Sequence, residues 1–402
     1  MTGEHGDLSR RKFLGVGASP LLAAVITKAA AAQTSPATKA ATTATTVKLT
    51  SIQPLTGPSA SYGMRVHAGS ELAVKEINGA GGFQDDRGNR YTIELGKGDM
   101  ANDRNEAIAL LRQAAGDRNI LAVMGPCNSM GFLPMVPVAG QVKMPIIGNG
   151  SGPPIKEWNT YVVRVNPAIE VAMPIFVEAM VKKLGTKRIA FIHDQTQDGQ
   201  VASYNASKRT VQKLGVQIVA DTVFRSGEQD YSAQISTIRA GSPELIGIMA
   251  AIGDGARVAL QMVDMGIKAP LFTPDGAFLD TTAWDNARGA FRGGFTWIAA
   301  DLVTATGGLK KFLEDYTKAY PELSPTQYST YGYDSVYTVV EAVKKSGTAT
   351  DREKFAQALT KLDFTTPLGN RVSFKNPPTG DNLNPVVTAI RITDRGKYER
   401  VN

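Results

Sequence analysis

The chain's 402 residues are 43% hydrophobic and 20% charged, a globular balance long enough for about two to three domains at roughly 150 residues each. One cysteine, Cys127, and three histidines exclude an intramolecular disulfide and leave too little material for a zinc site or a Cys/His nucleophile pair, so no metal or other cofactor is expected. The net charge of +7 is scattered over pairs such as Lys182-Lys183, Lys187-Arg188 and Lys310-Lys311, without the concentrated, aromatic-interleaved patch that nucleic acid requires.

Residues 9–14, Ser-Arg-Arg-Lys-Phe-Leu, precede a mildly apolar run over 15–26, then Lys28 and an alanine string ending at Ala32. These are the three parts of a signal peptide. Arg10-Arg11 with Phe13-Leu14 resembles the twin-arginine consensus, and Gly15, Gly17, Ser19 and Pro20 soften the run as that route favours. An uncleaved anchor is the weaker reading, because the run falls short of the roughly 20 residues that span a bilayer. Ala30 and Ala32 predict cleavage after Ala32, which removes four cations and two anions and takes the charge from +7 to +5. No lipid-bearing cysteine is available there, so the expected product is periplasmic, with no membrane span. Residues 33–46 are low in complexity and lack an apolar period, which predicts a flexible linker.

From residue 47 short apolar runs alternate with amphipathic segments. Strand-like 47–53, helix-like 60–78, strand-like 91–95, helix-like 103–115 and strand-like 120–124 come first; 188–193, 201–214, 216–224, 231–239, 244–251, 255–265 and 270–273 continue the pattern. Such alternation predicts an α/β architecture of mostly parallel sheets flanked by helices, with too many units for one small sheet. Breaks near 165–167, 296–301 and 366–370 divide it into two discontinuous lobes, 47–166 with 298–367 and 167–297 with 368–402, joined by three hinge crossings. Ligands in open parallel sheets lie beyond the carboxyl ends of the strands, so two facing sheets make a cleft walled by strand-end loops.

Catalytic signatures are absent: there is no G-x-x-x-x-G-K-[ST], H-E-x-x-H, C-x-x-C or G-x-S-x-G. In Gly148-Asn149-Gly150-Ser151-Gly152-Pro153-Pro154 a proline stands where a dinucleotide fingerprint needs its third glycine. His193-Asp194 are strand neighbours that point to opposite faces, so a structural histidine is expected there rather than a base. The chain reads as a non-enzyme.

The strand-end loops read instead as a small-molecule clamp. Residues 53–63 lead into a helix start rich in small hydroxyl residues, and the loop after Val123-Met124 brings Asn128 and Ser129 to the first turn of a helix. Free N–H groups and the positive dipole end favour an anion there, a ligand carboxylate being the natural guest, while helix capping is the commoner use of either residue. Gly150, Ser151 and Gly152 follow the next strand, where backbone amides approach an anion without steric cost.

Thr56-Gly57-Pro58 with Tyr62-Gly63, Gly79-Ala80-Gly81-Gly82, Met124-Gly125-Pro126, Pro145-Ile146-Ile147 and 188–194, Arg-Ile-Ala-Phe-Ile-His-Asp, resemble the type I periplasmic binding proteins, most closely the leucine/isoleucine/valine-binding branch serving ABC importers. The resemblance runs from about residue 47 to the C-terminus. It implies two α/β lobes, three hinge crossings, a ligand enclosed between the lobes and delivery to a membrane permease with its ATPase. It places the family's carboxylate-binding serine on Ser129, its glycine-rich loop on Gly150 to Gly152 and its cleft-wall aromatic on Tyr62. A family threonine is replaced at Gly152, with Ser151 adjacent. In the second lobe the ammonium-binding acid falls on Asp275, a family tyrosine on Asp198 and a second aromatic near Ile252. Those departures leave amino acids, aromatic carboxylates, amides and urea all within the implied range. They also leave open whether Asp198 faces solvent and Asp275 merely caps a helix. Trp158 is a further candidate for an apolar wall, lobe packing being its plainer use. A ligand-presenting sensory protein is the competing function.

Overall fold

The computed structural model describes residues 44–401 apart from 151, 275, 277, 278, 301, 303, 376–378 and 383–385. The expected leader and nearly all of the expected linker therefore lie outside the described residues; Thr45 and Thr46 already belong to the first strand. In chain order come β1 (Thr45–Gln53), α1 (Ala60–Gly79), β2 (Phe83–Gln84), β3 (Arg90–Asp99), α2 (Arg104–Gly116), β4 (Ile120–Met124), α3 (Ser129–Val142), β5 (Ile146–Gly148) and β6 (Val162–Pro167). There follow α4 (Ile169–Leu184), β7 (Arg188–Asp194), α5 (Asp198–Lys213), β8 (Gln217–Phe224), α6 (Ser232–Gly241), β9 (Leu245–Met249), α7 (Ile252–Asp264), β10 (Leu271–Phe272), α8 (Thr281–Asn286) and β11 (Phe295–Ile298). The remainder is α9 (Gly307–Ala319), α10 (Gln327–Ser346), α11 (Arg352–Leu359), β12 (Asp363–Thr365), β13 (Arg371–Ser373), β14 (Asp381–Asn382), β15 (Thr388–Asp394) and β16 (Lys397–Arg400).

Two sheets organise these elements. The first runs β14-β6-β5-β4-β1-β3-β2 and the second β16-β15-β11-β10-β9-β7-β8. Both are parallel except at their edges, where β2 opposes β3, β15 opposes β11 and β16 opposes β15. The central strands β4, Ile-Leu-Ala-Val-Met, and β9, Leu-Ile-Gly-Ile-Met, are almost wholly buried because helices cover both faces and leave no solvent side for alternation. Phe272 of the second lobe meets Phe176 and Phe191 edge-on at 6.0 and 6.2 Å, the geometry that aromatic quadrupoles favour. In the first lobe α1 lies against α10 at backbone contact: a Cβ on Gly69 would stand 2.0 Å from the Ser329 carbonyl oxygen, and one on Gly332 only 1.9 Å from that of Val66.

The chain passes between lobes after Pro167, after Ile298 and between Asn382 and Thr388. The third crossing corrects the expected break near 366–370, where a hairpin pairs β12 with β13 instead. The later strand β14 joins the first sheet beside β6. It carries no apolar signal because polar contacts hold it: Asp381 receives Arg164 Nε at 2.7 Å, and Asn382 Nδ2 donates to the Val165 carbonyl at 3.0 Å.

Candidate functional site

The carboxyl ends of both sheets face a cavity of about 40 Å³ lined by Ser59, Tyr62, Asn128 and Ser129 from the first lobe and by Gln197, Gln200 and Ala251 from the second, among others. Its first wall follows from local chemistry. The Asp99 carboxylate accepts from Leu55 N at 2.8 Å, Thr56 Oγ1 at 2.7 Å and Ala101 N at 2.8 Å, pinning the β1–α1 loop. Burial alone would raise the pKa of Asp99, and these hydrogen bonds outweigh it and hold the carboxyl below its ordinary range. Tyr62, at the start of α1, packs on Tyr328 of α10 with ring centroids 4.4 Å apart.

Asn128 is the N-cap of α3. Its side chain accepts from Gly131 N at 3.2 Å and donates to Asn102 at 2.9 Å, so the capping use occupies it, although it borders the cavity. Ser129, 5% exposed, follows as the first helical residue. The glycine loop packs hard behind it. A Cβ on Gly150 would stand 1.5 Å from the Cys127 carbonyl oxygen, and one on Gly152 would stand 2.4 Å from Ser129 Oγ and 2.7 Å from Arg164 Nη1. Gly152 thus leaves room for a guanidinium. Arg164 is fully buried, held by Asp381 at 2.6 Å and by the Pro153 carbonyl at 2.8 Å, which brings a cation behind the Ser129 corner. Sequence reasoning missed it because its partner lies 217 residues away.

In the second lobe the structure relocates two expected wall residues. Asp198 opens α5 but turns to the outer flank, 3.7 Å from Arg104 of α2 and about half exposed, in a separate groove of about 570 Å³ with Pro137, Ile155 and Arg209. A carboxylate there is favoured by the helix dipole and a cross-lobe cation, and it does not border the cavity. Ile252 opens α7 and lines a groove on the other flank with Pro58 and Met64. Its neighbour Ala251 borders the cavity, so the expected position is displaced by one residue. Ser151 and Asp275 lie outside the described residues. Trp158 belongs to first-lobe packing, its Nε1 donating to the Val162 carbonyl at 2.8 Å. His193 stacks on Tyr204 at 3.9 Å, and burial lowers its basicity. Asp194, fully buried, accepts from the Thr196 amide at 2.8 Å to shape the turn into α5, and burial raises its pKa.

The lobes also meet beside the cavity. Arg65 of α1 pairs with Asp280, the N-cap of α8, at 2.7 Å, with both side chains excluded from solvent. Ser61 bonds to each of them. Among the described residues no group of three or more His, Cys, Asp or Glu is placed to hold a metal, and no helix is long and apolar enough to cross a membrane.

A family model described as periplasmic binding protein matches residues 46–394. The chain belongs to that family. An amino acid binding protein of Pseudomonas aeruginosa is 26% identical over 356 residues, covering 87% of this chain and 90% of the relative. A Leu/Ile/Val-binding protein homolog of Brucella suis is 27% identical, covering 79% and 83%. A leucine binding protein of known structure from Thermotoga maritima superposes with a TM-score of 0.77 at 25% identity, covering 88% of this chain and 97% of that one. A Streptococcus pneumoniae branched-chain amino acid binding protein in complex with isoleucine shares the fold, with a TM-score of 0.78 at 23% identity over 88% and 98%. The family is one of solute-binding proteins rather than enzymes, and it implies an extracytoplasmic location.

Proposed function

We propose that this protein is the substrate-binding component of an ABC importer, closing its lobes on an α-amino acid or related small carboxylate and delivering it to a membrane permease with a cytoplasmic ATPase. One observation carries the reading: Ser129, at the first turn of α3, faces Gly199 of the opposite lobe so closely that a Cβ there would lie 3.1 Å from Ser129 Oγ. A carboxylate held at that corner touches both lobes, so its binding energy is realised only in the closed arrangement and shifts the population toward it. The positive end of α3 favours the anion, and the Arg164 guanidinium behind Gly152 adds to the field. Asp275 is the residue assigned to a ligand ammonium, and the names of the relatives support the amino-acid class. Export by the twin-arginine route, with cleavage after Ala32, belongs to the same reading.

The test is a thermal-shift screen of protein that has been unfolded and refolded to strip carried ligand, against amino acids, amides, urea and aromatic carboxylates. A specific ligand at a hundred times its dissociation constant adds about 2.7 kcal/mol. A hit confined to α-amino acids supports the reading, whereas hits only among compounds without a carboxylate overturn it. Asp275→Ala is expected to cost about 2–5 kcal/mol of binding, the range for truncating a buried charge pair. Ser129→Ala is expected to cost about 1 kcal/mol, because the helix-end amides remain. Titration calorimetry reads both, and unchanged affinity in Asp275→Ala removes that residue from the site.

A further inference from the structure

The second-lobe wall of the cavity carries an amide donor and an amide acceptor that nothing within the described residues satisfies. Gln197, 5% exposed, precedes α5, yet its side chain makes no capping bond and its Nε2 has no partner. One turn on, Gln200 has an Oε1 that is shut off from solvent and equally unpartnered. Both residues border the cavity, as does Ser129 across it. Buried polar groups are almost always paired, so two orphans of opposite polarity on one wall point to a guest that supplies the missing halves. Asp198, between them in sequence, does not replace them with a charge, being turned outward to Arg104.

We infer that the Gln197–Gln200 wall receives an uncharged group with both an acceptor and a donor, and that the ligand is a small α-amino carboxylate bearing a carboxamide. This rests on the reading above, in which the carboxylate goes to the Ser129 corner and the ammonium to Asp275, so that a third polar group is left for this wall. The argument survives exchange of O and N in both glutamines together, since the pair then still offers one donor and one acceptor. A primary carboxamide presents one carbonyl and one NH₂ and answers the pair in both orientations, whereas a carboxylate only accepts and a hydrocarbon does neither.

The experiment is titration calorimetry of the refolded protein with asparagine and glutamine, their acids aspartate and glutamate, and leucine, isoleucine and valine. At least one amide is expected to bind on the order of a hundredfold more tightly than its acid and than the branched-chain amino acids, since an analogue lacking the group leaves both glutamines unpaired. Gln197→Leu with Gln200→Leu is expected to abolish that preference while sparing any leucine binding, with circular dichroism reporting the fold. Leucine or isoleucine binding as tightly as either amide overturns the inference and leaves the amino-acid reading standing. Failure of all the amino acids titrated to bind overturns the inference, and the aromatic carboxylates of the thermal-shift screen then decide whether the small-carboxylate reading stands. Should the double variant fail to fold, the ligand series on the unaltered protein decides.

Discussion

Asp280→Asn is expected to weaken ligand binding by about a hundredfold to several thousandfold while leaving each lobe folded. Asparagine caps a helix as well as aspartate does, so the bond from the Ala283 amide at 2.7 Å is retained. What disappears is the charge opposite Arg65, whose guanidinium is 2% exposed with the lobes together and is otherwise held by the Ser324 carbonyl at 2.8 Å. Removing one partner of a buried pair costs about 3–5 kcal/mol. Because Arg65 lies in the first lobe and Asp280 in the second, that cost applies to the closed arrangement alone; opening returns the guanidinium to water. Ligand binding must then overcome it, which is the stated loss of affinity. Calorimetry of the best ligand measures the loss, and small-angle scattering follows the population of the compact form. A double variant, Arg65→Met with Asp280→Leu, is expected to recover most of the affinity, since apolar groups of similar volume replace buried pairs at little cost. Affinity unchanged in Asp280→Asn would show that the pair does not govern closure.

The same pair marks the boundary of what sequence reasoning reaches. Local signals sufficed for the strands: β4 and β9 are apolar runs between turns, and the alternation expected over 47–124 reappears as β1, α1, β3, α2 and β4, with the two-residue β2 added. They sufficed, too, for Ser129, because a glycine-proline strand end followed by Asn-Ser announces a helix start whatever surrounds it. Arg65 and Asp280 stand 215 positions apart as an ordinary surface-type cation and a helix cap, with nothing local to say that two lobes meet over them. Arg164 and Asp381 were hidden by the same separation, and with them went β14, which has two polar residues and no pattern. Asp198 was misplaced for another reason. A resemblance gives a residue's position along α5, while the side the carboxylate takes, here toward Arg104 on a different helix, shows only in the folded chain. Gln197 and Gln200 lie in a polar segment with no motif to single them out; only their place on the cavity wall gives them meaning.

Between about pH 4 and about 7 the protein should lose stability relative to its Asp334→Asn variant, while His67 and His193, whose basicity burial lowers, contribute in the opposite direction in both proteins. Asp334 sits in α10 beneath the crossings, beside a cavity of about 30 Å³ bordered by Pro167, Ala299 and Val386, one residue from each. Burial pushes its pKa up to about 7, against hydrogen bonds from Asn370 and Thr366, and its Oδ1 has no partner among the described residues while Oδ2 receives Asn370 Nδ2 at 2.7 Å. The nearest cation bordering the cavity, Arg371, directs its guanidinium to Asp363 instead. A folded-state value above the unfolded 3.8 means that the native protein binds more protons than the unfolded chain through this window. The contribution is fully present below about pH 4, declines as pH rises and is gone above about 7, a total of roughly 4 kcal/mol for a displacement of this size. Asp194, raised in the same direction by burial, adds to the slope and remains in the variant. Denaturant midpoints of both proteins between pH 4 and 8 make the comparison, with the midpoint of Asp334→Asn expected to gain on that of the unaltered protein as pH rises and to be the higher at pH 8. The gain at pH 8 should be smaller than the full figure, because the new amide donor inherits the unpartnered position of Oδ1. Parallel profiles would mean that the carboxyl ionises in the folded state as readily as in the unfolded chain, and that the hinge side of α10 admits water that the packing around Pro167, Ala299 and Val386 excludes.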